Sequence, residues 1–145
     1  MDIETINEMW SVDSNINRNK IAEESLNTAR LHQKYLSILL QTKTKMLKSE
    51  MEYNSLKLDK YRYFRGEMTQ EELNDRGWVQ YQGLKPLKSD MEFVLEHDQE
   101  VGRMGIKLQY LRNMIYQLES ILTNIKGRDW AIRNHIEWQK FQSGG

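Results

Sequence analysis

The stretch from Lys57 to Gly66 combines cations and aromatic rings more densely than any other part of the sequence. On a helix, at roughly 100° per residue, Lys57 lies one turn before Tyr61 and Lys60 one turn before Phe64. Ammonium and guanidinium groups bind phosphates, and flat rings stack on unpaired bases, so such a face can hold a single-stranded nucleic acid without reading its sequence. In this basic-aromatic segment, residues 57–66, the predicted DNA contacts are Lys57, Lys60, Tyr61, Arg62, Phe64 and Arg65.

A second group of cations and rings lies near the end of the chain. Lys126, Arg128 and Arg133 are possible secondary DNA contacts because Trp130 and Trp138 accompany them. The same rings could instead pack between subunits, and the apolar residues around them favour packing. For the basic-aromatic segment, the alternative to a binding surface is a solvated, charged helix end.

The charges of the sequence balance, with 21 Lys and Arg against 21 Asp and Glu. Two basic blocks, residues 41–66 and 103–140, flank an acidic block at residues 67–100. A zero net charge excludes a simple polycation. Any attraction to a nucleic acid must therefore come from the local basic blocks.

Helix-favouring residues dominate the chain and Pro occurs once, so we predict a single all-α domain over residues 1–145 without a sheet. Gly66 is expected to end one helix in the left-handed conformation, and Thr69 and Ser89 each begin a capping-box pattern. The predicted elements are a short N-terminal helix at 2–12, a long helix at about 16–65, a connector at 66–88, a long helix at 89–125 and a C-terminal helix at about 128–141.

Both long helices carry apolar stripes that predict antiparallel, coiled-coil-like packing. In the first, the stripe consists of Leu36, Leu40, Leu47, Met51 and Leu58. In the second, two interleaved series repeat every seventh residue, and a further apolar row widens the face beyond the needs of a two-stranded coil. We therefore predict a larger homo-oligomer in which each helix touches neighbours on two sides, with an interface formed by Val101, Met104, Leu108, Leu111, Ile115, Leu118, Leu122 and Ile125.

Enzyme, metal and membrane signatures are missing from the sequence. It has no Cys, no glycine-rich phosphate loop and no His-Glu-x-x-His motif, so we expect neither catalysis nor a cofactor nor a bound metal. The row Glu92, Glu96 and Glu100 is interpreted as a solvated acidic face or a partner for the basic blocks. No leader and no membrane-spanning run is recognised, and we expect an intracellular protein without a membrane partner.

Several stretches, taken together, resemble the phage UvsY recombination mediators. They are Met46 to Glu50 leading into the basic-aromatic segment, Leu84 to Leu95, Leu108 to Tyr110, and Ile125 through Phe141 to Gly144. The likeness covers most of the chain in collinear order, and it is the combination that is specific.

This resemblance implies a ring or open barrel of six or seven helical subunits, a hexamer or heptamer, in the cytoplasm of the infected bacterial host. The ring would bind single-stranded DNA and help a UvsX-like phage recombinase displace the phage single-stranded-DNA-binding protein. In the family, two basic residues near the end of the long helix serve DNA binding. Lys60 stands at one of these positions and Leu58 at the other, where Lys57 or Arg62 takes over the contact.

A second reading of the residues assigns the chain a structural role. In it, the chain is a helical oligomer or an assembly scaffold without a DNA role, and its basic helix end contacts an acidic protein partner. Loss of DNA binding on replacing Lys57, Lys60 and Arg62, with the oligomer mass unchanged, would separate the mediator from the scaffold.

Overall fold

The structure is a computed structural model that describes residues 1–144, and within that range every regular element is helical, as predicted. Two short 3-10 turns, Arg18–Lys20 and Lys88–Asp90, precede helices. The helices are α1 at Ile3–Asp13, α2 at Ile21–Phe64, α3 at Gln70–Arg76, α4 at Met91–His97 and α5 at Gln99–Gln142. The chain contains two compact units, one formed by Met1–Thr44 with Leu111–Gly145 and the other by Lys45–Tyr110.

In the first unit, α1 packs on the start of α2 through a small buried cluster. Ile6 and Tyr35 are fully buried, and the rings of Trp10 and Tyr35 meet edge to face with 5.5 Å between their centroids. The Tyr35 hydroxyl donates to Asp13 Oδ2 at 2.9 Å, and the Lys34 ammonium donates to the same oxygen at 2.6 Å. Burial and the Asp13 carboxylate raise the pKa of Tyr35. Burial acts to raise the pKa of the Asp13 carboxyl, but these two hydrogen bonds outweigh burial and lower that pKa.

The second unit contains the end of α2, the short helices α3 and α4, and the start of α5. Gly66 follows α2 with φ of 68°, the left-handed conformation predicted for it. The predicted capping box of α3 is present, since Thr69 Oγ1 accepts from the Glu72 amide and Glu72 Oε1 accepts from the Thr69 amide. Both signals are local in sequence, and both lie where the sequence predicts them.

The helices of the last third have different bounds from those predicted. Asp98, with ψ of 133°, separates α4 from α5, and its Oδ2 accepts from the Val101 amide at 3.1 Å. A capping side chain thus breaks the predicted helix at 89–125, and Ser89 provides no capping hydrogen bond. No break follows Ile125: α5 continues through Gly127 because the buried residues Arg128 and Ile132 hold the next turns in place.

The predicted subunit interface is wrong, because seven of its eight side chains are buried inside the chain itself and the eighth, Met104, is partly buried. The heptad pattern correctly identifies a helix-packing seam, but the facing helix is α2 of the same chain. In the first unit, Thr42 Oγ1 lies 3.7 Å from Met114 Sδ. In the second, a Cβ built on Gly105 would lie 3.8 Å from the Tyr53 ring. The buried seam residues are Val101, Leu108, Leu111, Ile115, Leu118, Leu122 and Ile125.

The stripe predicted for α2 is also not the buried one. Leu40, Leu47, Met51 and Leu58 are 55–74% exposed, and Leu36 is half-buried. The buried face of α2 contains three polar residues, and for this reason apolar spacing alone does not reveal it. Its members are Leu31, Tyr35, Leu39, Thr42, Ser49, Leu56 and Lys60.

Candidate nucleic-acid interface

Lys60, the predicted DNA contact favoured by the family resemblance, has a buried side chain with four partners, one of which is the Tyr63 ring, whose centroid lies 5.4 Å from the ammonium. Lys60 is 7% exposed. Its Nζ lies 3.3 Å from Asp98 Oδ1 and 3.4 Å from Glu100 Oε1, both at the start of α5. The ammonium also lies 4.3 Å from the ring centroid of Trp78. A low-dielectric setting strengthens these contacts, so the carboxylates occupy the place that phosphate oxygens would take.

Arg62 and Arg65 are each paired with a carboxylate just beyond the end of α2. Arg62 forms a two-pronged ion pair with Glu72 of α3, with Nη2 donating to Oε1 at 2.9 Å. Arg65 Nε donates to Glu67 Oε1 at 2.8 Å. The hydrogen bond from Arg62 lowers the pKa of Glu72 to about 2, so this carboxyl is ionised at neutral pH. In a single chain, these two predicted DNA contacts are therefore largely neutralised.

Lys57 is the predicted contact whose charge is most available. No carboxylate lies within ion-pair distance of it in residues 1–144, and its ammonium lies 5.4 Å from the Tyr53 ring centroid. Tyr61 is half-buried, with the Arg65 guanidinium 5.6 Å from its ring centroid. This face of α2 thus carries both charges and rings, but Lys57 pairs with Tyr53 and Tyr61 with Arg65 rather than with each other.

Phe64 belongs to an aromatic cluster that joins the end of α2 to the connector. Its ring meets Tyr81 edge to face at 5.1 Å, and Tyr63 lies 5.3 Å from Trp78 and 5.6 Å from Tyr81. Hydrogen bonds fix these rings: the Tyr63 hydroxyl donates to the Val79 carbonyl at 2.6 Å, and Trp78 Nε1 donates to Glu100 Oε1 at 3.0 Å. The cluster holds Phe64 half-buried, so only part of its ring is accessible to a base.

The three cations of the second basic group lie in different settings. Arg128 is buried and paired with Glu24, and its Nε donates to Thr28 Oγ1 at 3.2 Å. Its predicted role as a secondary DNA contact is therefore corrected to one in packing, since a guanidinium enclosed by α2 cannot reach a phosphate. Lys126 and Arg133 are exposed, and their secondary role in DNA binding stays a prediction. The nearby exposed rings are Trp130, Trp138 and Phe141, of which the last two stack at 5.7 Å.

Sequence reasoning did not identify which carboxylate pairs with which predicted contact. Glu72 is recognisable only as a capping-box residue, and nothing in its sequence surroundings indicates the ion pair with Arg62. Glu100 belongs to the acidic row interpreted as a solvated face or a partner for the basic blocks; for this residue the structure shows the second alternative, with its carboxylate on Lys60 and Trp78. Such partners lie far along the chain and carry no local spacing signal.

Among residues 1–144, no group of His, Asp and Glu side chains is arranged to hold a metal ion. Over the same range, none of the helices combines the length and the apolarity that crossing a membrane requires.

Comparison with known proteins identifies relatives along the whole chain. The family model described as "Recombination, repair and ssDNA binding protein UvsY" matches residues 9–145. Recombination protein uvsY of Enterobacteria phage T4 is 27% identical over 145 residues, with 99% of each chain covered.

Solved structures of the bacteriophage T4 recombination mediator protein UvsY share the fold. The crystal structure in lattice type II superposes with a TM-score of 0.85 at 24% identity, covering 99% of this chain and 98% of that chain. The structure in lattice type IV has a TM-score of 0.82 at 23% identity, with 98% and 99% covered. At these identities the likeness shows the all-helical architecture.

Proposed function

Because the chain belongs to the UvsY family of recombination, repair and ssDNA-binding proteins and is thus a recombination mediator, we propose that it binds single-stranded DNA directly. In this role it promotes loading of a UvsX-like phage recombinase in place of the phage single-stranded-DNA-binding protein. The observation that carries the proposal is the family match over residues 9–145. This match favours the mediator over the scaffold reading. The protein acts without catalysis or a cofactor, in the cytoplasm of the infected host.

The proposed DNA contacts lie in the basic-aromatic segment, with unequal roles. Lys57 and Tyr61 form the accessible part of the surface. Lys60, Arg62 and Arg65 contribute only when a phosphate exchanges with a carboxylate that already holds them, with Phe64 partly accessible beside them. Each exchange replaces one charged hydrogen bond by another, so the net gain per contact is small. Moderate affinity suits a mediator, because a protein that held DNA too tightly would block the recombinase. Lys126 and Arg133 remain possible secondary contacts.

We further propose that six or seven subunits assemble into a ring or open barrel, which repeats this weak surface around the assembly. Linked binding sites gain affinity through effective concentration, without any new contact. Since the heptad seam of α5 is buried within the chain, the subunits must meet through other apolar side chains. In the second unit, exposed candidates are Leu47, Met51, Leu58 and Ile106.

A salt-dependent titration with a labelled single-stranded oligonucleotide tests direct DNA binding. Wild-type protein should bind the single strand more tightly than duplex, with affinity falling as salt rises. Lys57→Ala should weaken binding and reduce the slope of log affinity against log salt by about 0.7 for each phosphate that the protein no longer neutralises. Lys20→Ala, which removes an exposed charge from the first unit, is the matched control. Equal affinity for single and double strands, or an unchanged slope in Lys57→Ala, would refute the proposal.

A further inference from the structure

An open cavity of about 740 Å³ lies in the second unit, beside the end of α2. Two residues of the basic-aromatic segment, Lys60 and Phe64, form one side of it. The other sides come from α4 and the start of α5, and include Phe93, His97, Gln99, Glu100 and Arg103. The cavity is therefore continuous with the proposed DNA surface, but most of its lining comes from residues that the proposed function leaves unused.

Phe93 provides the cavity with an exposed aromatic ring. The side chain is 65% exposed, although α4 buries Met91 and Leu95 on its inner face. The ring lies 4.2 Å from that of His97, with 32° between the planes. His97 Nδ1 is 2.8 Å from the Phe93 carbonyl oxygen, which can only accept, so this nitrogen donates and fixes the imidazole under the phenyl ring. A supported, solvent-facing ring is the form of side chain on which bases stack.

The polar groups around this ring pair suit a base better than a phosphate. Glu100 places a carboxylate in the cavity and Asp98 a second one, and together they already neutralise Lys60. Their charge repels a phosphate, whereas carboxylate oxygens accept hydrogen bonds from the amino and ring N–H groups of a base edge. Gln99 adds an amide. Arg103 is exposed, and no carboxylate pairs with it in the part of the chain that the structure describes, so it can reach a backbone phosphate outside the cavity.

We propose that this cavity takes an unpaired nucleobase of the bound single strand, which stacks on Phe93 while Arg103 contacts the adjoining phosphate. The inference rests on the proposed function and adds α4 and the start of α5 to its binding surface. Bases in a duplex are stacked on their neighbours and cannot enter, so the cavity also accounts for a preference for single strands.

Two oligonucleotides of equal length test whether a base is captured: one of mixed sequence, and one with abasic sites in place of its central nucleotides. Phe93→Ala should weaken binding of the intact strand about fivefold or more, the lower range for loss of a stacked base, and leave the abasic strand unchanged. Phe93→Trp, which keeps an aromatic ring at this position, should bind the intact strand as tightly as the wild type does. Tyr116→Ala, which removes a similarly exposed ring (73%) from the first unit, should alter neither titration.

The outcomes of these titrations distinguish a failure of the inference from a failure of the proposed function on which it rests. If wild-type protein binds no single strand, the proposed function fails and the inference fails with it. If wild-type protein binds and Phe93→Ala binds the intact strand equally well, or loses the same factor on both strands, only the inference is overturned. Photocrosslinking with an oligonucleotide carrying 5-iodouracil gives an independent readout. Adducts on Phe93 or His97 support the cavity, and adducts confined to other residues overturn it.

Discussion

Lys60 shows how one buried charge can be stable at the edge of the proposed DNA surface. An ammonium removed from water is costly unless it is paired and hydrogen-bonded. Here Asp98, Glu100 and the Trp78 ring together supply that compensation. Because Glu100 also accepts from the Trp78 indole, the cluster ties the end of α2 to α5 and to the connector.

We predict that Lys60→Met destabilises the fold, because it leaves Asp98 and Glu100 without their counter-charge. Asp98 is 12% exposed, so its orphaned carboxylate should lower the free energy of unfolding by about 3 kcal/mol, measured by urea denaturation. Adding Asp98→Asn and Glu100→Gln should recover part of the loss, because uncharged amides need no counter-ion. Wild-type stability for Lys60→Met would show that the cluster contributes little. Loss of DNA binding in a Lys60 variant must therefore be read beside its stability.

For individual residues, the sequence predicts the types of side chain at this end of α2 better than it predicts their tertiary partners. The spacing of Lys57, Lys60, Tyr61 and Phe64 correctly places charges and rings at one end of a long helix. Spacing does not reveal that Lys60 is buried, since its partner Glu100 lies 40 residues further along the chain. Whether a cation is accessible depends on tertiary contacts, which a single sequence does not display.

At the scale of elements, α3 is held in place largely through Glu72. This side chain completes the capping box with the Thr69 amide and also pairs with Arg62 of α2. A seven-residue helix is too short to be stable alone, so these contacts and the buried Leu73 keep it folded. The same carboxylate therefore links helix initiation to helix docking.

This arrangement predicts a pH dependence of stability. The folded-state pKa of Glu72 is lowered from 4.5 to about 2, so its contribution is complete above pH 4.5 and is lost as the pH falls towards 2. The unfolding free energy of the wild type should decrease over that window. Glu72→Gln, which cannot titrate, should be less stable at neutral pH and should show a flatter profile below pH 4.5. Profiles from denaturation at several pH values that run parallel would contradict the assignment.

Two of the three local signals predicted their elements, and the capping box at Ser89 did not. The Thr69 capping box and the left-handed Gly66 were recognisable because a few adjacent residues determine them. The break at Asp98 was not, because the seventh-residue series continues from Val94 to Val101 across it. On α2, the buried face includes Thr42, Ser49 and Lys60, so the count of apolar positions selected the exposed stripe instead.

At the scale of the whole molecule, the exposed row of Leu47, Met51 and Leu58 is the main unexplained apolar feature of the second unit. The three residues lie within about 40° of one another on α2, at exposures of 59%, 74% and 60%. Apolar side chains in a continuous row on a soluble protein typically mark an interface. For this chain the proposed occupant is a neighbouring subunit of the ring.

Replacing the row with Gln should separate assembly from folding. The triple variant Leu47→Gln, Met51→Gln, Leu58→Gln should keep its helical circular dichroism and its unfolding free energy per chain, yet have a lower mass by light scattering. Leu108→Ala is the matched contrast, because this side chain is 2% exposed in the α5 seam and its truncation should cost about 3 kcal/mol. A triple variant with wild-type mass would place the interface elsewhere.

The Lys60 cluster also determines how far α2 can slide along α5. Two helices with seventh-residue repeats can shift by a whole heptad and still bury apolar side chains, so hydrophobic packing alone leaves several registers close in energy. A shift of seven residues towards the end of α5 would move Lys60 from Asp98 to Gly105, and residues 103–107 contain no carboxylate. The ammonium would then be buried without a counter-charge. The cluster thus opposes a slide of α2 towards the end of α5.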